Sequence, residues 1–141
     1  MKDLQTGEIM VTFPSQTQYV HMVTNFASHA AIMAGFDKTA AGKVAIATDE
    51  AVTNVIKHAY NGNPGKSITL KVEINPESLV LKVFHTGRAL RREDVRLPVM
   101  EQYIKERRVG GLGLFIINKF MDRVDYLVGE ENCCQMTKYR K

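Results

Sequence analysis

The chain has 141 residues, 45% of them hydrophobic, with a formal net charge of +4 and a pI near 9.1. That suffices to bury one core, so a single domain over 1–141 is expected, and so mild a charge excludes the dense basic stripe of a dedicated nucleic-acid binder. No apolar run approaches membrane-spanning length and Met1 to Gly7 lacks the apolar core of a signal peptide, which predicts a cytoplasmic protein with no membrane contact.

Glu8 to Phe13 reads as a first strand, ended by Pro14. Ser15 followed by Gln18 has capping-box spacing and predicts a helix through about Met33, with Tyr19, Val20, Val23, Phe26, Ala27 and Ala30 on its buried side. His21 and His29 lie in it without acidic or thiol companions, as surface or packing residues rather than metal ligands. Gly35 closes this helix, and Asp37 or Thr39 caps the next. In that next helix the stretch Ile46 to Tyr60 carries Glu50, Asn54 and His58 every four residues, which stacks them about 6 Å apart on one face. Ala47, Ala51, Val55 and Ala59, with Val44, Val52 and Ile56 beside them, form an apolar stripe suited to a sheet. An E-x-x-x-N spacing alone more often marks a solvated helix face. The glycine-rich turn later in the chain makes these three residues candidates to line a ligand site.

Asn61-Gly-Asn-Pro-Gly65 stops the helix. Ile68, Leu70, Val72 and Ile74 then alternate with polar residues, as do Leu79, Leu81 and Val83 after a turn at Asn75-Pro76-Glu77, predicting an antiparallel hairpin that ends at Phe84-His85-Thr86-Gly87. From Arg88 to Arg108 seven basic residues face four acidic ones, so this segment supplies +3 of the net +4; Pro98 is expected to start a short helix within it, through Met100, Tyr103 and Ile104. Gly110-Gly-Leu-Gly113 opens a helix from Leu114 to Asp122, with Leu114, Ile117, Phe120 and Met121 facing the core. Glycines before a helix let backbone N–H groups approach an anion at the positive end of its dipole. Arg123 to Val128 and Cys134 to Arg140 complete the sheet as a hairpin around Gly129 to Asn132. The adjacent Cys133 and Cys134 have no spaced partners for a zinc site and are expected to stay reduced. The predicted fold is α+β, a two-layer sandwich with helices on one face of a mainly antiparallel mixed sheet.

The runs E-A-V-T-N-V-I-K-H-A-Y and G-G-L-G-L-F-I-I-N-K-F-M-D, some fifty residues apart on the expected elements, closely resemble the N box and second glycine box of the GHKL ATPase superfamily, whose domain is the Bergerat fold. Within it the chain looks most like the bacterial anti-sigma-factor serine/threonine kinases, over nearly its whole length. The resemblance implies ATP and Mg²⁺ as cofactors, Glu50 as general base, and Asn54 as the Mg²⁺ ligand through its amide oxygen. It implies nucleotide contacts at His85, Gly87, Gly110, Gly111, Leu112, Gly113 and Leu114, and a basic nucleotide lid at about 88–109. His58 either contacts phosphate or caps the helix. The implied partners are a sigma factor and a STAS-type anti-anti-sigma protein, with no direct nucleic-acid binding; whether the chain is a homodimer stays open.

One departure bears on function. The family's first glycine box reads D-x-G-x-G, its aspartate accepting from the adenine amino group, whereas this chain reads His85-Thr86-Gly87-Arg88-Ala89. A neutral imidazole accepts one hydrogen bond and carries no charge. Two functions therefore stand side by side: an ATP-dependent protein kinase, favoured by Glu50, Asn54 and Gly110 to Gly113, and a regulatory binding module with weak or no nucleotide affinity, favoured by His85 and Ala89. An ATPase fragment of a larger machine is a third reading, with no transducer-like segment in the sequence to support it.

Overall fold

The computed structural model describes residues 6–90 and 112–140. Five strands, β1 (Gly7–Pro14), β2 (Ser67–Ile74), β3 (Ser78–His85), β4 (Arg123–Leu127) and β5 (Asn132–Tyr139), form one sheet in the order β1-β2-β3-β5-β4. All four pairings are antiparallel, so the mixed component expected from the sequence is not found among the described residues. The α-helices among the described residues are α1 (Val20–Met33), α2 (Lys38–Asn54) and α3 (Leu112–Phe120).

Register explains the layering, because residues paired across antiparallel strands share a face. Val11, Leu70, Val83, Cys134 and Tyr126 form one cross-strand row toward the helices, and Ile9, Val72, Leu81, Met136 and Val124 form the next. Against these rows α2 presents Val44, Ala47, Ala51 and Val52, and the turn that follows it adds Val55, all buried. The alanines let the helix lie close to the sheet, while Leu70, Leu79 and Leu81 supply the bulk. Each such large side chain contributes about 1.5–3 kcal/mol on burial. The buried Thr48 hydroxyl is satisfied locally, donating to the Val44 carbonyl at 2.8 Å.

The opposite sheet face carries an ion-pair ladder. Lys71 Nζ lies 3.2 Å from Glu8 and 3.5 Å from Glu73, and Lys82 Nζ lies 2.7 Å from Glu73. Lys82 holds the Glu73 carboxyl below the usual carboxylate range. Cys133 points to this face and Cys134 to the core; both are free thiols, pushed up to about 11 and about 12 by burial. They are reduced, as expected.

Helix boundaries differ from expectation at α1 and α3, whereas the start of α2 agrees with it. Ser15 does not cap α1, which is preceded by a 3₁₀ turn (Thr17–Tyr19) and has no side-chain cap. The buried Ser15 hydroxyl instead donates to the Asn63 carbonyl at 2.7 Å and accepts from Lys66 N at 3.1 Å, tying the end of β1 to the 61–65 turn. Of the two candidates for capping α2, Asp37 is the one used, accepting from Ala40 N at 2.8 Å. Finally, the described part of α3 spans Leu112–Phe120, so Gly113 and Leu114 lie inside it and Asp122 outside. Asp122 bridges to β5 instead: its N–H donates to the Thr137 carbonyl and its Oδ2 accepts from Tyr139 N. Ile117 and Met121 are buried as predicted. The short helix expected at Pro98 and nearly all of the basic segment lie outside the described residues.

Candidate functional site

The later half of α2 brings two of the predicted residues together. Glu50 is half-buried, and burial pushes its carboxyl above the ordinary range; neighbouring Asp49 adds to the shift and Lys57 opposes it. One turn on, Asn54 ends the α-helical part with its side-chain Nδ2 buried and without a hydrogen-bond partner among the described residues. A buried amide nitrogen left unpaired costs about 1–3 kcal/mol, so its persistence points to a ligand that satisfies it.

His58 does not complete the row. From Val55 to Ala59 the chain widens into a π-helical turn, with Tyr60 N donating to the Val55 carbonyl at 2.9 Å, so a step of four residues falls short of a full turn. His58 is exposed on this turn. Among the described residues it neither pairs with Asn54 nor caps the helix through a side-chain hydrogen bond.

The end of β3 docks on the π turn. Arg88 N donates to the Ala59 carbonyl at 2.9 Å, and a Cβ on Gly87 would lie 2.4 Å from that oxygen. The Tyr60 hydroxyl donates to the Ser67 carbonyl at 2.7 Å and accepts from Thr86 N at 2.9 Å. Its ring meets the His85 imidazole edge-on, with centroids 5.9 Å apart at 83°. His85 is buried, desolvation lowers its pKa, and its Nδ1 accepts from Gly87 N at 3.1 Å. Asn132, opposite His85 in register, donates to the Gly87 carbonyl at 2.9 Å. Tyr60 and Asn132 thus hold the predicted positions in place. The sequence reading missed them because a tyrosine ending a helix and an asparagine in a turn carry no motif of their own.

The first described turn of α3 holds Leu112, Gly113 and Leu114, and α3 packs against α2. Gly110 and Gly111 lie outside the described residues. Among the described residues no group of three His, Cys, Asp or Glu side chains could hold a metal ion. Any ion here would take its remaining ligands from phosphate and water, which suits Mg²⁺ beside a single amide oxygen. A cavity of about 420 Å³ bounded by Phe36, Lys43, Lys138 and Arg140 lies at the other end of α2, away from Glu50 and Asn54. No described helix is long and apolar enough to cross a membrane.

A two-layer α+β sandwich with a carboxylate and an amide one turn apart on its central helix is the pattern of a histidine kinase-like ATPase domain, and residues 13–138 match the model of that family. The chain belongs to the histidine kinase-like ATPase family. It is 32% identical over 136 residues to the serine-protein kinase RsbW of Listeria innocua, covering 94% of this chain and 87% of the relative. The same-named protein of Staphylococcus aureus strain Newman is 31% identical over 139 residues, with the same coverage. Among solved structures, the RsbU and RsbW domains of a Mycobacterium tuberculosis protein superpose with a TM-score of 0.67 at 13% identity, covering 94% of this chain and 32% of that one. The SiaB–SiaC complex from Pseudomonas aeruginosa gives 0.60 at 14%, covering 94% and 88%. At those identities the structural likeness shows the fold alone.

Proposed function

We propose that this chain is a protein serine/threonine kinase that takes its phosphoryl group from a nucleoside triphosphate, ATP in the family's pattern. In this reading it binds a sigma factor and phosphorylates a STAS-type anti-anti-sigma partner on serine, switching between the two. The observation that carries the reading is the α2 pair: a half-buried Glu50 whose carboxyl is pushed up, one turn before Asn54 with its buried, unpaired amide nitrogen. A carboxylate shifted toward neutrality is a better base at neutral pH than an exposed one.

Glu50 accepts the proton of the partner's serine hydroxyl as that oxygen bonds to the γ-phosphorus. The bond to the bridging oxygen breaks, and nucleoside diphosphate leaves. Asn54 would hold Mg²⁺ by its amide oxygen and would offer its nitrogen to a phosphate oxygen. When bound, the ion offsets charge on the transferring group. Residues Leu112 to Leu114 and the preceding glycines lie beside the phosphates in this scheme.

The test is phosphotransfer from labelled nucleotide to a STAS-type protein encoded in the same genome. Label on serine is expected, together with Mg²⁺-dependent nucleotide affinity that disappears in Asn54→Ala. His85, standing where the family has an aspartate, favours a second reading as a binding module. A partner complex that forms at good yield and never acquires label would select it.

A further inference from the structure

The Gly87 amide fixes which way the His85 imidazole faces and where its proton sits. Gly87 N donates to Nδ1 at 3.1 Å, and rotating the ring by half a turn would set a C–H against that N–H. The amide is itself immobilised, because Asn132 holds the Gly87 carbonyl at 2.9 Å and Arg88 N is anchored on Ala59. A neutral imidazole whose Nδ1 accepts carries its hydrogen on Nε2. Nε2 has no hydrogen-bond partner among the described residues, so this position offers one donor and no acceptor. A carboxylate would behave oppositely: after one oxygen accepts from Gly87 N, the other still accepts.

Resting on the nucleotide reading above, we infer that His85 reverses the hydrogen-bond polarity of the base subsite, so that the site selects a 6-oxopurine nucleotide, guanine or hypoxanthine, over adenine. The 6-oxo group accepts from Nε2–H. The 6-amino group of adenine would set donor against donor and leave both unpaired.

The test is calorimetric titration of the full chain with GTP, ITP and ATP in the presence of Mg²⁺ at pH 7.5. GTP and ITP are expected to bind about tenfold or more tightly than ATP, the effect of one mispaired buried donor. ITP separates the 6-oxo contact from any made by the 2-amino group of guanine. His85→Asn, which keeps an acceptor for Gly87 N and a free donor, should retain this order; His85→Asp should reverse it. Tighter binding of ATP than of ITP and GTP by the parent chain overturns the inference and leaves the kinase reading standing. An unreversed order in a folded His85→Asp variant also overturns it, by removing residue 85 from the base contact. No binding of any of the three nucleotides overturns both readings.

Discussion

The carbonyl oxygen of Ala59 occupies the space that a side chain on Gly87 would need, 2.4 Å from the Cβ position. Ala59 ends the π turn, where a helix leaves carbonyls unpaired, and Arg88 N supplies the missing donor. The backbone of Gly87 is not left-handed, so the constraint on this residue is one of packing. Gly87→Ala must separate the end of β3 from the helix end. A loss of about 1–3 kcal/mol is expected, the usual cost of overpacking, read as a lowered urea midpoint with an unchanged slope. A variant as stable as the parent would show that the contact relaxes freely.

Ser15 offers a second stability test. Its buried hydroxyl satisfies the Asn63 carbonyl and Lys66 N, neither of which has an equivalent partner elsewhere in the turn. Ser15→Ala should therefore cost about 1–3 kcal/mol, whereas Gln18→Ala should cost little, reversing the order that a capping box would give. Thermal denaturation of the two variants decides between the roles.

The contrast between Ser15 and Asp37 shows what the sequence makes legible. Asp37 caps the helix that follows it because both partners lie within three residues. Ser15 is recruited by residues 48 and 51 positions away, once β1 and β2 have paired. The hairpin of β2 and β3 and the order of elements were readable because alternation and turn residues are local signals. The π turn was not: α and π windings satisfy the same apolar stripe, and the docking of Gly87 and Arg88 on Ala59 appears only in the tertiary structure. At the site, the placement of Glu50 and Asn54 one turn apart on one helix was legible from their spacing. The state of His85 was not, since its proton is positioned by a backbone amide two residues on.

Burial makes His85 a sensor of acid. Desolvation lowers its pKa in the folded chain below the ordinary value of 6.5, so the unfolded state takes up a proton first as pH falls. The stability gained from the neutral imidazole is complete above pH 6.5 and is lost as pH falls through the folded pKa. The slope contributed by one proton is at most about 1.4 kcal/mol per pH unit. His85→Asn keeps the acceptor for Gly87 N and does not titrate, so its stability should fall less than the parent's between pH 7.5 and pH 5. Parallel stability profiles for the two chains would remove His85 as a source of acid lability.

Glu50 carries the opposite sign, and its test joins stability to catalysis. Its folded pKa is raised above the ordinary value of 4.5, chiefly by burial, so the protonated form is the one the fold favours. The stability linked to this group is fully present below pH 4.5 and is lost as pH rises through the folded pKa. At neutral pH the ionised carboxylate therefore costs stability, which is the expense of holding a base in a partly desolvated position. Glu50→Gln removes the charge and keeps the shape. The variant should melt at a higher temperature than the parent at pH 7, and the difference should disappear by about pH 4. The same substitution should lower phosphotransfer by about 10²- to 10⁴-fold, the contribution of a positioned general base, and leave nucleotide affinity nearly unchanged. In the parent, activity should fall on the acid side with an apparent pKa above that of an exposed glutamate, and this limb should be missing from the residual activity of the variant. A variant that keeps full activity with a raised melting temperature would make Glu50 a buried charge with no part in proton transfer. Loss of activity together with a lowered melting temperature would instead assign it a structural role.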